Sequence, residues 1–331
     1  MRAEQTPATL RLAELYSPIA IDLERSRSIF NEELASDQDF IADLCGHVAQ
    51  FHGKLLRPAI LLLSGRASGQ LTAAHPILAA VVEMVHIATL VHDDVLDEAD
   101  VRRRAATVNR LWGNERAVLM GDFLISHAFH LCSGVDSGEA SRIVGATTNT
   151  VCEGEMMQIA NRDNLELGAE EYLDIIARKT AALIGTCCLL GARYAGADEQ
   201  QAEHLKSFGR ALGIAFQIVD DVLDLVGDEA EAGKSLGRDA DLGKLTLPMI
   251  HHLQNASAQE RHQLRDLLTS DISGRRRQIA ALLETNSSIT HARRIARNYV
   301  DEARDSLDAL PPSPARDSLC AMAEFVLART L

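Results

Sequence analysis

Two stretches of this sequence, LVHDDVLDEAD and FQIVDDVLDLVGD, carry the pattern Asp-Asp-x-x-Asp. The first supplies Asp93, Asp94 and Asp97, the second Asp220, Asp221 and Asp224. Both sit in apolar surroundings of helical rather than strand character. On a helix, residues three and four apart share a face, so each stretch makes a comb of three carboxylates. Like charges so close repel unless cations hold them. Hard oxygen donors with no Cys or His cage suit Mg²⁺, which keeps waters and bridges to phosphate. Two combs acting together would grip a diphosphate. A single comb has a plainer reading as a solvated patch. Carboxylates on apolar helices are costly unless paired or metal-bound, and the matching contexts favour the metal.

Other polar groups fall into register with the combs. His86, Asp93 and Asp97 lie on one helical stripe, and Gln217 aligns with Asp220, Asp221 and Asp224. Cations stand where a second anion would need them. The segment GKLLRP, with Lys54 and Arg57, opens a helix, and Arg57 is suited to bidentate anion binding. Arg102, Arg103 and Arg104 follow the first comb; alone, such a triplet reads as a solvated surface run. Lys179 and Thr180 fall inside a helix, where a lysine often merely snorkels. After the second comb, GDEAEAGKSLGRDADLGKLTLP carries Lys234 and Lys244. Its order is not that of a P-loop; a lid closing over a metal-bound diphosphate suits it.

The elements that must position these groups are helices. Apolar helical runs cover residues 81–96, 170–193, 200–226 and 288–310, with breaks at 134–138, 161–168, 227–243 and 311–314. No break has the length or polarity of a linker, so residues 1–331 are expected to form a single all-α domain of ten or more helices. The 331 residues are 47% hydrophobic and 24% charged, a globular composition. A net charge of −14 and 4% aromatic content exclude a nucleic-acid footprint. Cys45, Cys132, Cys152, Cys187, Cys188 and Cys320 form no CxxC pair and are expected as buried free thiols of a reducing compartment. The first residues lack the apolar core of a signal peptide. The most apolar run, 180–197, is interrupted by Arg193 and reads as a core helix rather than a transmembrane segment. A soluble, cytoplasmic protein is expected.

The ordered stretches GKLLRPAILLL, EMVHIATLVHDDVLDEADVRRRAATVN, AVLMGDFLISHAF, EGEMMQ, ARKTAALI and FQIVDDVLDLVGD, with the loop through GKLTLP, span residues 53–248. In them the chain resembles the trans-isoprenyl diphosphate synthases, of the octaprenyl and related polyprenyl branch. The resemblance implies an isoprenoid-synthase-like helical bundle around a central apolar cavity, acting as a homodimer. It implies Mg²⁺ held by Asp93, Asp94, Asp97, Asp220, Asp221 and Asp224. It gives isopentenyl diphosphate to Lys54, Arg57, His86 and Arg103. The allylic diphosphate goes to Arg102, Lys179, Thr180, Gln217, Lys234 and Lys244, with Lys179 also among the catalytic groups. Three departures stand out: Arg104 replaces the usual glycine, Leu55 a usual basic residue, and Leu245 the common proline after Lys244.

By the same resemblance, product length depends on Ala88 and Thr89, five and four residues before Asp93. Five residues of helix span about 7.5 Å. Shorter-chain synthases often block that depth with an aromatic, so Ala88 implies a long product, hexaprenyl to decaprenyl, although Phe123 or Phe129 on the next helix could set a floor. The alternatives are a farnesyl or geranylgeranyl diphosphate synthase, a class I terpene cyclase, an HD-type phosphohydrolase built on His92-Asp93, and a regulatory subunit of a heteromeric synthase. The cyclase has no need of the Lys54, Arg57, His86 and Arg103 set. The phosphohydrolase needs further histidine ligands and no second comb, and regulatory partners tend to lose the aspartates.

Overall fold

Long apolar runs with little Gly or Pro inside them leave the backbone one economical way to satisfy its own hydrogen bonds, and the described chain is helical almost throughout. The computed structural model describes residues 13–103, 105–227, 236–270 and 274–328. Lys234 and Arg104 lie outside the described residues.

In chain order the helices are α1 Ala20–Glu33, α2 Asp39–Val48, α3 Leu56–Ser68, α4 Ala74–Leu96, α5 Val108–Trp112, α6 Asn114–Ser133, α7 Glu139–Ala160 and α8 Ala169–Ile176. They continue as α9 Ala182–Tyr194, α10 Glu199–Val226, α11 Arg238–Asp241, α12 Leu247–Asn255, α13 Ala258–Thr269, α14 Arg275–Thr285, α15 Ser288–Ser306 and α16 Pro314–Ala328. A two-stranded antiparallel ladder, β1 Val101–Arg102 and β2 Ala105–Ala106, follows α4 and pairs Val101 with Ala106. The sequence pattern gave no sign of it.

Two compact units are formed. The first comprises residues 1–148, 183–209 and 304–323; the second comprises 149–182, 210–303 and 324–331. In the first, α4 is the central helix, packed against α1, α3 and α6. It starts seven residues before the expected 81 because His75 and Pro76 are accommodated in its first turn, where proline's missing N–H costs nothing. Its end is a Schellman closure. Glu98 takes a left-handed φ of 49°, its N–H donates to Val95 O, and the Ala99 N–H donates to Asp94 O at 2.9 Å. The first Asp motif is thus fixed at a helix C-terminus.

The expected helix 170–193 is present as the continuous helical run Ala169–Tyr194, with one irregularity inside it. Between α8 and α9, residues Ala177–Ala181 form a π turn that carries Lys179 and Thr180. Such turns are frequent at functional sites. Gly154 of α7 allows the approach, since a Cβ there would come 2.5 Å from the Lys179 backbone nitrogen. α4 and the run Ala169–Tyr194 are long and apolar enough to cross a bilayer, but 78% and 83% of their apolar windows are buried in the protein. They are core helices. The cysteines are free; Cys45, Cys132, Cys187 and Cys188 are buried as expected, whereas Cys152 is exposed and Cys320 half-buried. Both lie on helices whose other face carries the packing.

Gly154→Ala is expected to lower the unfolding free energy by about 1–3 kcal/mol in a denaturant titration, the usual range for overpacking. An unchanged midpoint would show that the π turn yields freely.

Candidate active site

Each Asp motif stands at or near the C-terminal end of a long helix, where the last carbonyls and the macrodipole are already negative. Placing three aspartates there compounds the repulsion and calls for cations.

In the first unit, Asp93 and Asp97 are half-buried, while Asp94 is 1% exposed. Asp94 turns from the stripe of the other two and receives Arg102, whose Nε and Nη2 each lie 2.8 Å from its Oδ1. The three carboxylates therefore do not form one comb. The Asn109 amide donates to the carbonyls of Asp94 and Ala99, and the Thr107 hydroxyl to that of Ala99, tying the segment after the motif in place.

The cation-bearing segments before and after this motif each contain a residue with a left-handed backbone. Leu55, which precedes α3, has φ 49°, and Arg103 has φ 51°. For L-residues this conformation costs about 1–2 kcal/mol. It directs the Arg103 guanidinium back to donate to Phe51 O and to lie where a Cβ on Gly53 would stand. Lys54 is exposed and Arg57 half-buried at the start of α3. Burial lowers the pKa of both guanidiniums from their usual range, and Glu83 opposes that in each case. Burial, then the charges of Arg57, Arg103 and Arg102, hold the His86 imidazole well below its ordinary value. Neutral His86 thus stands among three cations. Ala88 is fully buried, and the Thr89 hydroxyl donates to His86 O at 2.7 Å. His92 is occupied by α6: its Nε2 lies 3.1 Å from Val118 O and 3.5 Å from Asp122. That leaves the HD reading without its histidine. An apolar depression of about 350 Å³ lined by Phe30, Leu34, Cys45 and Ala49 contains none of the predicted site residues.

In the second unit the predicted residues form a hydrogen-bonded chain. The Thr180 hydroxyl donates to Gln217 Oε1 at 2.9 Å, and Gln217 Nε2 donates to Asp221 Oδ1 at 2.7 Å. The Tyr172 hydroxyl donates to Asp221 Oδ2 at 2.6 Å. Burial, only partly opposed by these two bonds, pushes the Asp221 carboxyl up to about 7, with Asp220 and Asp224 adding to the shift. Asp224 accepts the backbone N–H of Asp239 at 3.2 Å. Asp239 is a fourth acid here: burial, then Asp221 and Asp224, hold its carboxyl well above the usual range, and Lys244 opposes them. Lys179 pairs with Glu155 and donates to Gln158 Oε1 at 2.7 Å. Arg276 donates to the carbonyls of Leu225 and Gly227 just past the motif.

So many acids cannot all ionise without a counter-cation, and they offer only hard oxygen donors. No three acidic, His or Cys side chains among the described residues converge into a ready cage. That arrangement fits a cation that takes few protein ligands and completes its shell with water and phosphate.

Sequence reasoning missed Glu83, Glu155, Gln158, Tyr172, Asp239 and Arg276. Glu83, Glu155 and Gln158 were visible as polar groups inside the quoted motifs. The partners of Tyr172 and Arg276 lie some fifty residues away, with no local signal.

The chain belongs to the polyprenyl synthetase family, whose pattern matches residues 38–285. It is an all-α prenyltransferase of the trans-polyprenyl diphosphate synthase kind. It is 33% identical to an octaprenyl diphosphate synthase of Escherichia coli over 97% of this chain and 99% of that one. Among solved structures, a decaprenyl diphosphate synthase from Rhodobacter capsulatus superposes with a TM-score of 0.90 at 35% identity, covering 97% of this chain and 99% of that one. A polyprenyl synthase from Caulobacter crescentus, complexed with calcium and isoprenyl diphosphate, gives 0.92 at 31%, covering 97% and 98%.

Because His86 titrates lower in the folded than in the unfolded chain, the unfolded state binds more protons below about pH 6.5, and acid favours unfolding. Between pH 7 and pH 5.5 the wild type should lose stability relative to His86→Gln by up to about 1 kcal/mol per pH unit, against an opposite contribution from the raised Asp221 and Asp239 carboxyls that both proteins share. Equal slopes in thermal melts of the two proteins would contradict this assignment.

Proposed function

We propose that this protein joins isopentenyl diphosphate head-to-tail to an allylic diphosphate and repeats the step to make a long trans-polyprenyl diphosphate, hexaprenyl to decaprenyl. The observation that carries the reading is the division of the site. In the first unit the acidic helix end is followed by Arg102 on Asp94 and by Arg103, and in the second Asp224 accepts from the backbone of a further acid, Asp239, beside Asp221.

Asp93, Asp97, Asp220, Asp221 and Asp224 would hold Mg²⁺ on the allylic diphosphate, with Asp94 anchoring Arg102 beside them. The calcium and isoprenyl diphosphate in the Caulobacter relative support a divalent ion in this role. When bound, the ion supplies charge stabilisation to the departing diphosphate. Lys179, Thr180, Gln217, Lys234 and Lys244 would orient that diphosphate, Lys179 being released from Glu155 and Gln158 to do so. Lys54, Arg57, His86 and Arg103 would fix isopentenyl diphosphate so that its double bond attacks the allylic carbon as the carbon–oxygen bond breaks. The proton then lost is taken by the released diphosphate. Apolar side chains such as Ala88, Val85 and Val81 keep water from the cation.

Ala88 supports the long product because its side chain is small and is not the aromatic block that shorter-chain synthases often carry at that depth. A homodimer in the cytoplasm completes the proposal. Val118 and Leu119 on α6, and Met156 and Ile159 on α7, support the dimer, being exposed large apolar residues.

Purified enzyme given Mg²⁺, isopentenyl diphosphate and a farnesyl primer should yield products of thirty carbons or more, and Ala88→Phe should shorten them by one or more units. A wild-type product of fifteen or twenty carbons would overturn the long-chain reading. An unchanged profile in Ala88→Phe would overturn the depth assigned to position 88.

A further inference from the structure

One carboxylate in the first unit is not explained by either Asp motif. Glu83 lies on α4 one turn before His86 and is 3% exposed, in a stretch that is otherwise apolar. An ionised carboxylate at that depth is retained only where opposite charge or hydrogen bonds compensate it. His52 Nδ1 lies 3.5 Å from its Oε1, and the His52 ring stands edge-on to Phe30. Among the described residues its charge acts on Arg57 and Arg103 without direct ion-pair contact, and Arg103 covers Gly53, the neighbour of His52.

The segment carrying these groups is tied down from several sides. Arg103 donates to Phe51 O and covers Gly53, and the Tyr16 hydroxyl donates to Lys54 O at 2.9 Å. Both ring nitrogens of His52 and Nε of Arg57 are buried without a hydrogen-bond partner among the described residues. Buried polar atoms are rarely left so in the absence of a ligand or water. Within this segment's surroundings Glu83 is the buried carboxylate that meets His52.

We propose that Glu83 is a positioning residue: a buried counter-ion that holds the Arg57 and Arg103 guanidiniums aimed for isopentenyl diphosphate before that substrate arrives, acting through them without touching it. The inference rests on assigning those two arginines to isopentenyl diphosphate. Two guanidiniums near a neutral imidazole repel one another until an anion joins them. With Glu83 in place they are ordered beforehand, so less ordering is left to the binding step.

The test is calorimetric titration of isopentenyl diphosphate into the full chain without metal, alongside steady-state kinetics with both substrates. Glu83→Gln, which removes the charge and keeps the shape, should weaken isopentenyl diphosphate binding about tenfold or more. Its KM for the allylic substrate should stay within about twofold of wild type, and Glu83→Asp should recover most of the affinity. Should Glu83→Gln fail to fold, Glu83→Met replaces the charge with an apolar side chain of similar volume and should show the same loss. Unchanged isopentenyl diphosphate affinity, or equal rises in both substrates' constants, overturns the proposal. Arg57→Ala separates the two levels. If it too leaves the affinity unchanged, the assignment of the arginines is wrong; if it alone weakens binding, only the role of Glu83 falls.

Discussion

Negative charge gathered at the negative ends of two apolar helices is the constraint on which this molecule depends. α4 ends in Asp93, Asp94 and Asp97, and α10 nears its end at Asp220, Asp221 and Asp224. Neither helix gains stability from these residues, because the carbonyls and dipole at a C-terminus favour cations. The neighbouring chain answers the problem locally. Arg102 takes up Asp94, the hydroxyl of Tyr172 and the amide of Gln217 take up Asp221, and Arg276 caps the carbonyls that follow Asp224. Acidic charge gathered in this way is of the kind that a divalent cation is suited to neutralise.

The charges around the two motifs are balanced differently in the two units. In the first, guanidiniums outnumber the acids near His86, so an anion is welcome without any metal. In the second, Asp239 adds a further acid to three already crowded, and Lys179 is engaged by Glu155 and Gln158. A bare anion would be repelled there, whereas a metal-bound one would not. Under the proposed reading, the first set of side chains suits the substrate that attacks and the second the metal-bound substrate that ionises.

Much of this was legible from sequence because it is local. The Asp motifs, the i,i+4 link from Gln217 to Asp221, and the start of α3 at the Lys54–Arg57 segment all follow from helical spacing. What was not legible depends on backbone states that residue type does not announce. Glu98, rather than a glycine, takes the left-handed turn that ends α4, and Leu55 and Arg103 do likewise beside the cations. Nothing in ARKTA signals a π turn; it becomes intelligible only with Gly154 packed against it. The uniform comb expected for Asp93, Asp94 and Asp97 gave way because position 94 lies about 100° around the helix from position 93, toward Arg102.

The central claim is that both Asp motifs serve one metal-bound allylic diphosphate. Its most direct test is a double-mutant cycle on binding of an allylic thiolodiphosphate, which cannot ionise readily, measured by calorimetry with and without Mg²⁺. Binding should require Mg²⁺, Asp93→Asn and Asp220→Asn should each remove most of the metal-dependent affinity, and the double variant should be little worse than either single one. Losses that simply add, or metal-dependent binding that survives either substitution, would mean that the motifs hold separate ligands.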